Sequence, residues 1–312
     1  MIQKRVLFYF LFFGIVCLFA GASLASAAES AKNRFFWMGS GNLHLKSLRN
    51  GEEARVSLLN RDGSLDDAAL SEVDRVFGFP TVEKGEHISP RMLFMLSYFS
   101  DLVAPGRLIN IESGYRSPEY NDKLRKKGAN AARTSSHIDG MALDFWIKGI
   151  DGKELWETIR SNNCCGVGHY GGKTIHLDAG RPRFWEAATS GTRTKEPDYN
   201  RHIYISTNFD RFANLETMRL SFSGASDFRF GIMPQITFVD SEDPGKAILT
   251  GRIKSDKSVP CYLVQERKRS RFLSAAVPAK LPKGRYRIKI EFCKRPFEQM
   301  PEHVLSNVIE IF

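Results

Sequence analysis

The stretch TSSHIDGMALDFW, Thr134 to Trp146, puts charge inside an apolar run. Its second half alternates with a period of two. Ala142, Asp144 and Trp146 fall on one side and Met141, Leu143 and Phe145 on the other, the pattern of a β-strand. Asp144 thus lies on a sheet face with an apolar residue on either side of it in the chain. A buried carboxylate without a partner is costly, so this strand needs a group that meets it. His137 precedes Asp144 across a bend at Gly140 and can converge on it.

A second stretch, GVGHYGGKTIHLDAG (Gly166 to Gly180), reads as a hairpin turning at Gly171-Gly172. A two-residue turn pairs Tyr170 with Lys173 and His169 with Thr174. His169, His176 and Asp178 then share one face. Two histidines and an aspartate on rigid strands suit a catalytic zinc site, in which three protein ligands leave the fourth position to water. A lone histidine is more often an ordinary core or surface residue, and His44, His87, His202 and His303 stay in that class.

Outward from these segments, residues 28–185 mix helices and strands. GNLHLKSL and EARVSLLN read as an opening hairpin. SLDDAALSEVDRVFGF carries Leu70, Val73 and Phe77 at helical spacing, with Ser64 as the expected N-cap. SPRMLFMLSYFSDLV is a stronger helix, with Ser89 as cap, Pro90 at its first position and an apolar face of Leu93, Leu96, Phe99 and Val103. RLINIESGY reads as a strand. SPEYNDKLRKKG repeats the Ser-Pro helix start and closes at Gly128. Residues 186–200 are polar and rich in turn formers, and read as a linker. Residues 201–312 show strands only; in GRYRIKIEF, Tyr286, Ile288, Ile290 and Phe292 alternate with charged residues. The expected class is α+β: a small antiparallel sheet with helices, followed by an all-β sandwich, immunoglobulin-like in size and strand spacing.

At 312 residues the chain suits two domains. Its first 27 residues have a basic start, a long apolar run and ASA at Ala25–Ala27, which read as a cleaved secretory signal peptide. An uncleaved membrane anchor is the alternative, and the only route by which this reading touches a membrane. Either way the folded part lies outside the cytoplasm, in the periplasm or cell envelope, where disulfides are permitted. Of the cysteines that remain, Cys261 and Cys293 lie in strand-like segments and are the expected pair, whereas a bond between the neighbours Cys164 and Cys165 is strained. No C-x-x-C spacing points to a thiolate site. The formal charge of +10 is scattered and suits anionic envelope polymers. Outside the cell, nucleic acid is not an expected partner.

SGYRSPEYN, SSHIDGMALDFW and GVGHYGGKTIHLDAGRPRFW together resemble the D-Ala-D-Ala zinc metallopeptidase superfamily, of the hedgehog/DD-peptidase fold. Within it they are most similar to the murein endopeptidase K-like branch. Its pattern runs S-G-Y-R-S-P, S-x-H-x-x-G-x-A-x-D, G-V-G-x-Y and H-x-D-x-G-x-x-R-x-W, and all four elements occur here in order from Ser113 to Trp185. The likeness extends from about Asn42 to Trp185 and excludes the β-rich half. It implies zinc as cofactor, with His137, Asp144 and His176 as ligands. It implies that Arg116 holds a substrate carboxylate or the developing oxyanion, a task that suits a permanently charged, bidentate guanidinium.

In related carboxypeptidases an acidic residue stands three positions before the last histidine ligand; here that position is Lys173. Asp178 and His169 remain as candidates for the general base, with Asp178 favoured and also able to orient His176. His169 stands where the resemblance leads one to expect a tyrosine. The resemblance implies an exported peptidase that hydrolyses an amide bond next to a D-amino acid in peptidoglycan stem peptides or cross-links, with endopeptidase action favoured. A D-Ala-D-Ala carboxypeptidase and a non-catalytic, zinc-containing wall-binding protein are the alternatives. The C-terminal domain is expected to be an accessory module that meets the wall or an envelope partner.

Overall fold

The structure, a computed structural model, describes residues 30–81, 85–129, 131–190, 197–255 and 259–312. The segment read as a signal peptide, and residues 191–196 of the expected linker, lie outside the described residues. Among the described residues no helix is long and apolar enough to cross a membrane.

The chain opens with the expected hairpin, β1 (Asn42–Ser47) against β2 (Glu53–Ser57). Helix α1 (Asp67–Phe77) follows, capped not by Ser64 but by Asp66, whose carboxylate accepts the Ala68 and Ala69 N–H groups. A carboxylate meets both the unpaired N–H groups and the positive end of the helix dipole, whereas the Ser64 hydroxyl is spent on Asp62 at 2.7 Å. Helix α2 (Pro90–Val103) starts at Ser89-Pro90 as expected. Strand β3 (Leu108–Ser113), helix α3 (Pro118–Lys126, capped by Ser117) and strand β4 (Ala142–Ile147) follow. Helix α4 (Gly152–Ser161) begins at an Asp151 cap, and β5 (Gly166–His169), β6 (Ile175–Asp178) and β7 (Arg183–Glu186) complete this half.

These seven strands form one sheet in the order β2-β1-β3-β4-β6-β5-β7. It is mixed rather than antiparallel, because β1 pairs β3 and β5 pairs β7 in parallel. Parallel neighbours need a crossover, and α1 and α2 supply it between the opening hairpin and β3. One face of the sheet is core. Ile109, Ile111, Leu143, Phe145, Ile175, Leu177 and Val167 are buried there with residues of α2 and α4, including Leu93, Leu96, Trp156 and Ile159. The opposite face carries Asp144 and His176. A register shift between Ile111 and Ser113 leaves Glu112 as the extra residue, so that Ser113 and not Glu112 lies opposite Asp144.

Residues 204–311 hold β8 (Tyr204–Thr207), β9 (Arg211–Phe212), β10 (Thr217–Ser223), β11 (Phe230–Asp240), β12 (Ala247–Arg252), β13 (Tyr262–Val264), β14 (Leu273–Ala276), β15 (Gly284–Lys294), β16 (His303–Leu305) and β17 (Ile309–Ile311). They form a sheet β14-β10-β8 and a second sheet along β12-β11-β15-β17-β9, with β13 added to β11 and β16 to β15. Tyr286, Ile288 and Ile290 are buried, as the alternation requires. Cys261 is bonded to Cys293, and Cys164 to Cys165. The two halves are packed together. Arg91 pairs with Asp210 and Arg34 with Glu216, and the Phe35 and Phe209 rings lie 5.5 Å apart.

On the polar face of the first sheet, Gly168 lies directly beside Trp185 of β7. A β-carbon added at Gly168 would lie 2.4 Å from the Trp185 ring. Gly168→Ala is therefore expected to displace that ring and to lower stability by about 1–3 kcal/mol in urea unfolding.

Candidate metal centre

Strand pairing sets the site. Antiparallel β4 and β6 place Asp144 directly opposite His176, and β5 places Gly168 opposite His176 on its other side. A single row thus crosses the sheet face: Ser113, Asp144, His176, Gly168, Trp185. The next row is Ala142, Asp178, Gly166, Arg183. The glycines at 166 and 168 leave room for the Arg183 and Trp185 side chains to reach over β5 toward β6. The two ring centroids of His176 and Trp185 are 5.0 Å apart.

His137 arrives from the turn before β4. Its Nδ1 is 2.7 Å from the Gly114 carbonyl oxygen, which fixes that nitrogen as the donor and leaves Nε2 with a lone pair. Nε2 is buried, has no hydrogen-bond partner and lies 3.3 Å from Asp144 Oδ1. His176 donates its Nε2–H to Asp178 Oδ2 at 2.8 Å, so its Nδ1 faces Asp144 Oδ1 at 2.9 Å. Two imidazole lone pairs and one carboxylate oxygen, one from each of His137, Asp144 and His176, lie within 4.8 Å of one another. An orphaned buried nitrogen beside a carboxylate is what a metal ion satisfies, and this donor set fits zinc.

The electrostatics support that fit. Burial alone would raise the Asp144 carboxyl, but His137 and His176 hold it well below the usual carboxylate range. Burial also pushes the His137 imidazole down, toward the neutral form that ligates. For His176 burial lowers the value, but hydrogen bonds to Asp144 and Asp178 outweigh it and raise the imidazole in the absence of metal.

Around the triad each supporting group has a defined place. Arg116 reaches Asp144 Oδ2 at 2.6 Å and Ser113 Oγ at 2.9 Å, so its guanidinium holds the ligand carboxylate itself. The resemblance implied a substrate or oxyanion role for it; the structure shows it in an ion pair with Asp144. Asp178 is fully buried. It accepts from His176, from Gly180 N–H at 2.8 Å and from both terminal nitrogens of Arg183, at 3.0 and 2.6 Å. Both its oxygens are occupied, so the geometry suits orientation of His176 and leaves no free site for a proton from water.

His169 is not brought to the site. It pairs with Ile175 rather than Thr174, because the connection between β5 and β6 is longer than two residues. This one-residue change of register turns His169 to the other face, where its ring lies 6.3 Å from Trp156. Lys173 sits over the Trp146 ring, 3.5 Å from its centroid.

Tyr170 is the residue that sequence reasoning passed over. Its hydroxyl lies 3.3 Å from Asp144 Oδ1, and burial keeps the phenol protonated by raising its pKa. The closing Tyr of G-V-G-x-Y was the available signal. A cleft of about 470 Å³ opens over the triad. Arg116, Arg125, Arg133, Arg181 and Arg183 line it from the first half, and Asp198, His202, Tyr204 and Gly224 from the second.

Residues 38–185 match the family model described as peptidoglycan L,D-endopeptidase MepK. Just under half of the chain is thus similar to that family. The match agrees with the resemblance of the motifs to the MepK-like branch of the D-Ala-D-Ala zinc metallopeptidases, and the matched range contains every residue of the triad. The peptidoglycan L,D-endopeptidase MepK of Escherichia coli strain K12 is 28% identical over 144 residues, covering 46% of this chain and 79% of that protein. A probable peptidoglycan L,D-endopeptidase MepK of Haemophilus influenzae is 35% identical over 79 residues, covering 25% of this chain and 42% of its own length. The solved Bacteroides ovatus mixed-linkage glucan utilization locus protein SGBP-B shares 12% identity at a TM-score of 0.18, over 55% of this chain and 29% of its own, too little to carry an argument about the fold.

Removing the charge of Asp178 leaves His176 without its orienting carboxylate. Asp178→Asn is expected to weaken zinc binding about 10–100-fold in a chelator competition. Burial raises the Asp178 carboxyl, but Arg183 and His176 more than reverse this and hold it well below its usual value. A depressed folded value gives stability that is complete above the unfolded value of about 3.9 and is lost as pH falls through the folded one. The stability advantage of metal-free wild type over Asp178→Asn should therefore hold from pH 7 to about pH 4 and shrink below it, as read by urea unfolding at each pH.

Proposed function

We propose that this protein is an exported zinc peptidase of the bacterial wall that hydrolyses an amide bond between an L- and a D-centre in peptidoglycan stem peptides or cross-links. The observation that carries this reading is the convergence of His137, Asp144 and His176, with one orphaned imidazole nitrogen, inside a segment similar to L,D-endopeptidases. His137 Nε2, His176 Nδ1 and Asp144 would hold a zinc ion, which would supply Lewis acidity for the water and the scissile carbonyl.

The chain's own groups do the rest. Asp178, clamped by Arg183, keeps His176 in the tautomer that presents Nδ1. Arg116 takes Asp144 Oδ2 and leaves Oδ1 turned to the triad. The Tyr170 hydroxyl, held in its protonated form beside Asp144, is placed to donate to the carbonyl oxygen as charge develops on it. Trp185 covers the flank of His176 and excludes water from that side. The arginines along the cleft favour a peptide that carries free carboxylates, as stem peptides do. Asp178 is saturated and His169 faces away, so this reading assigns the proton acceptor to neither of the two residues expected from sequence.

That vacancy in the acid–base assignment, together with lysine at position 173, supports a second reading: a zinc-containing wall-binding protein without turnover. Mass spectrometry of a purified muropeptide digest separates the readings. Endopeptidase action releases fragments cut at an L,D bond, carboxypeptidase action removes single D-alanine residues, and the binding reading leaves every mass unchanged. His176→Ala and Asp144→Asn are expected to reduce cleavage by at least about 10³-fold, since each removes part of the group that polarises the carbonyl. Tyr170→Phe is expected to lower kcat by about 10²-fold, with KM nearly unchanged.

A further inference from the structure

The turn that delivers His137 is held from outside the family segment. Asp139 stands two residues after His137, at a position the S-x-H-x-x-G pattern leaves open. It is buried, at 8% exposure. Its Oδ1 is paired with the Arg267 guanidinium, and its Oδ2 accepts the Gly224 N–H at 3.0 Å. The neighbouring Ile138 carbonyl accepts from Arg271 at 3.3 Å, and Arg271 is tied in turn to Glu86 at 2.9 Å. Gly224, Arg267 and Arg271 all lie beyond residue 185, where the family match ends.

Among the described residues of the first half, the same turn is held by backbone bonds and by the His137 Nδ1 bond to the Gly114 carbonyl. His137 O accepts from Arg116 N–H and Gly140 N–H, each at 3.3 Å, and Ser89 N–H donates to Gly140 O at 2.9 Å. The charged contacts that restrain its tip come from the C-terminal half. Thr134, at the start of the turn, also meets Asp198, at 3.5 Å.

We infer that the C-terminal half is a working part of the metal centre: Arg267, through Asp139, is a positioning residue that holds the His137 turn in its ligating geometry. The half expected from sequence to be an accessory module thus sets the pose of a ligand. The mechanism is mechanical. The ion pair and the Gly224 bond fix the plane of the turn, and the turn aims the His137 ring between the Gly114 carbonyl and Asp144. Loosening the tip lets the ring rotate away from Asp144, so metal is held less tightly and the water and carbonyl are polarised less well. This inference rests on the reading of His137, Asp144 and His176 as metal ligands. It does not depend on which bond, or whether any bond, is cut.

The test uses the full-length protein with zinc alone as the first probe. Arg267→Ala and Asp139→Ala are each expected to weaken zinc affinity about 10-fold in a chelator competition, in the range seen when groups that orient metal ligands are removed. The double variant should be no weaker than Asp139→Ala alone, because Arg267 acts on the turn through Asp139. Arg267→Lys, which keeps a cation at Asp139, should recover most of the affinity. Where muropeptide cleavage is measurable, kcat should fall in step with KM held within about twofold, the signature of a misplaced centre rather than lost substrate contact.

Arg229→Ala, which removes an exposed ion pair to Asp227 in the same half, is the control and should change neither quantity. Zinc affinity unchanged in folded Arg267→Ala overturns the inference, even if its melting temperature falls, because the pair then only docks the two halves. Should Arg267→Ala fail to fold, Arg267→Lys and Arg267→Gln decide instead: equal zinc affinity in these two overturns it, and a loss confined to Gln supports it. Loss of zinc affinity without any cleavage in the wild type would uphold the inference while the peptidase reading fails.

Discussion

One cross-strand pair organises this protein: Asp144 of β4 opposite His176 of β6, on the face of a sheet whose other side is packed against helices. A carboxylate buried there must be met by positive or donor groups from every direction. The molecule does this with two imidazoles, a guanidinium and a phenol around one side chain. Arrangements of this kind strengthen one another in a low dielectric and penalise any member left out. The atom of this group left without a hydrogen-bond partner is His137 Nε2, which suits a metal ion.

The support extends outward in layers that the sheet itself generates. Asp178 lies two residues from His176 on the same face, and Arg183 reaches it across Gly166 from β7. Trp185 covers His176 across Gly168 in the same way. The two glycines of G-V-G are therefore spacing elements: residues without a β-carbon at the positions where side chains from β7 must cross a strand. The core face tolerates no such gaps, and Val167, between the glycines, is buried among Leu177 and its neighbours.

The second half of the chain is joined to the first by ion pairs at several points, including Arg91–Asp210, Arg34–Glu216, Arg271–Glu86 and Arg267–Asp139. The buried carboxylates of this seam would be costly if exposed to a low dielectric unpaired, so the two halves specify each other's position. Basic residues that looked scattered along the sequence are thereby divided. Some close the seam, and others line the cleft over the triad, where they favour an anionic peptide.

The sequence alone was sufficient for the helix starts at Ser89-Pro90 and Ser117-Pro118, for the alternation of β4 and β15, and for the convergence of His137, Asp144 and His176, because these depend on local periodicity and on motif spacing. It misplaced the cap of α1, since neighbouring Ser and Asp residues compete and only the folded turn decides between them. It misjudged His169, because side-chain direction in a hairpin depends on loop length to the residue, and the connection after β5 is longer than its Gly-Gly suggested. It left Asp178 between orienting His176 and acting as a base, and gave no sign that Asp139 is buried, since neither the Arg183 clamp nor the Arg267 contact from 128 residues away leaves a local mark. Local pattern determined which residues can meet a metal. Tertiary structure decided which of them are already engaged, because long-range pairing, and not the residue type, settles whether a buried charge is free to react.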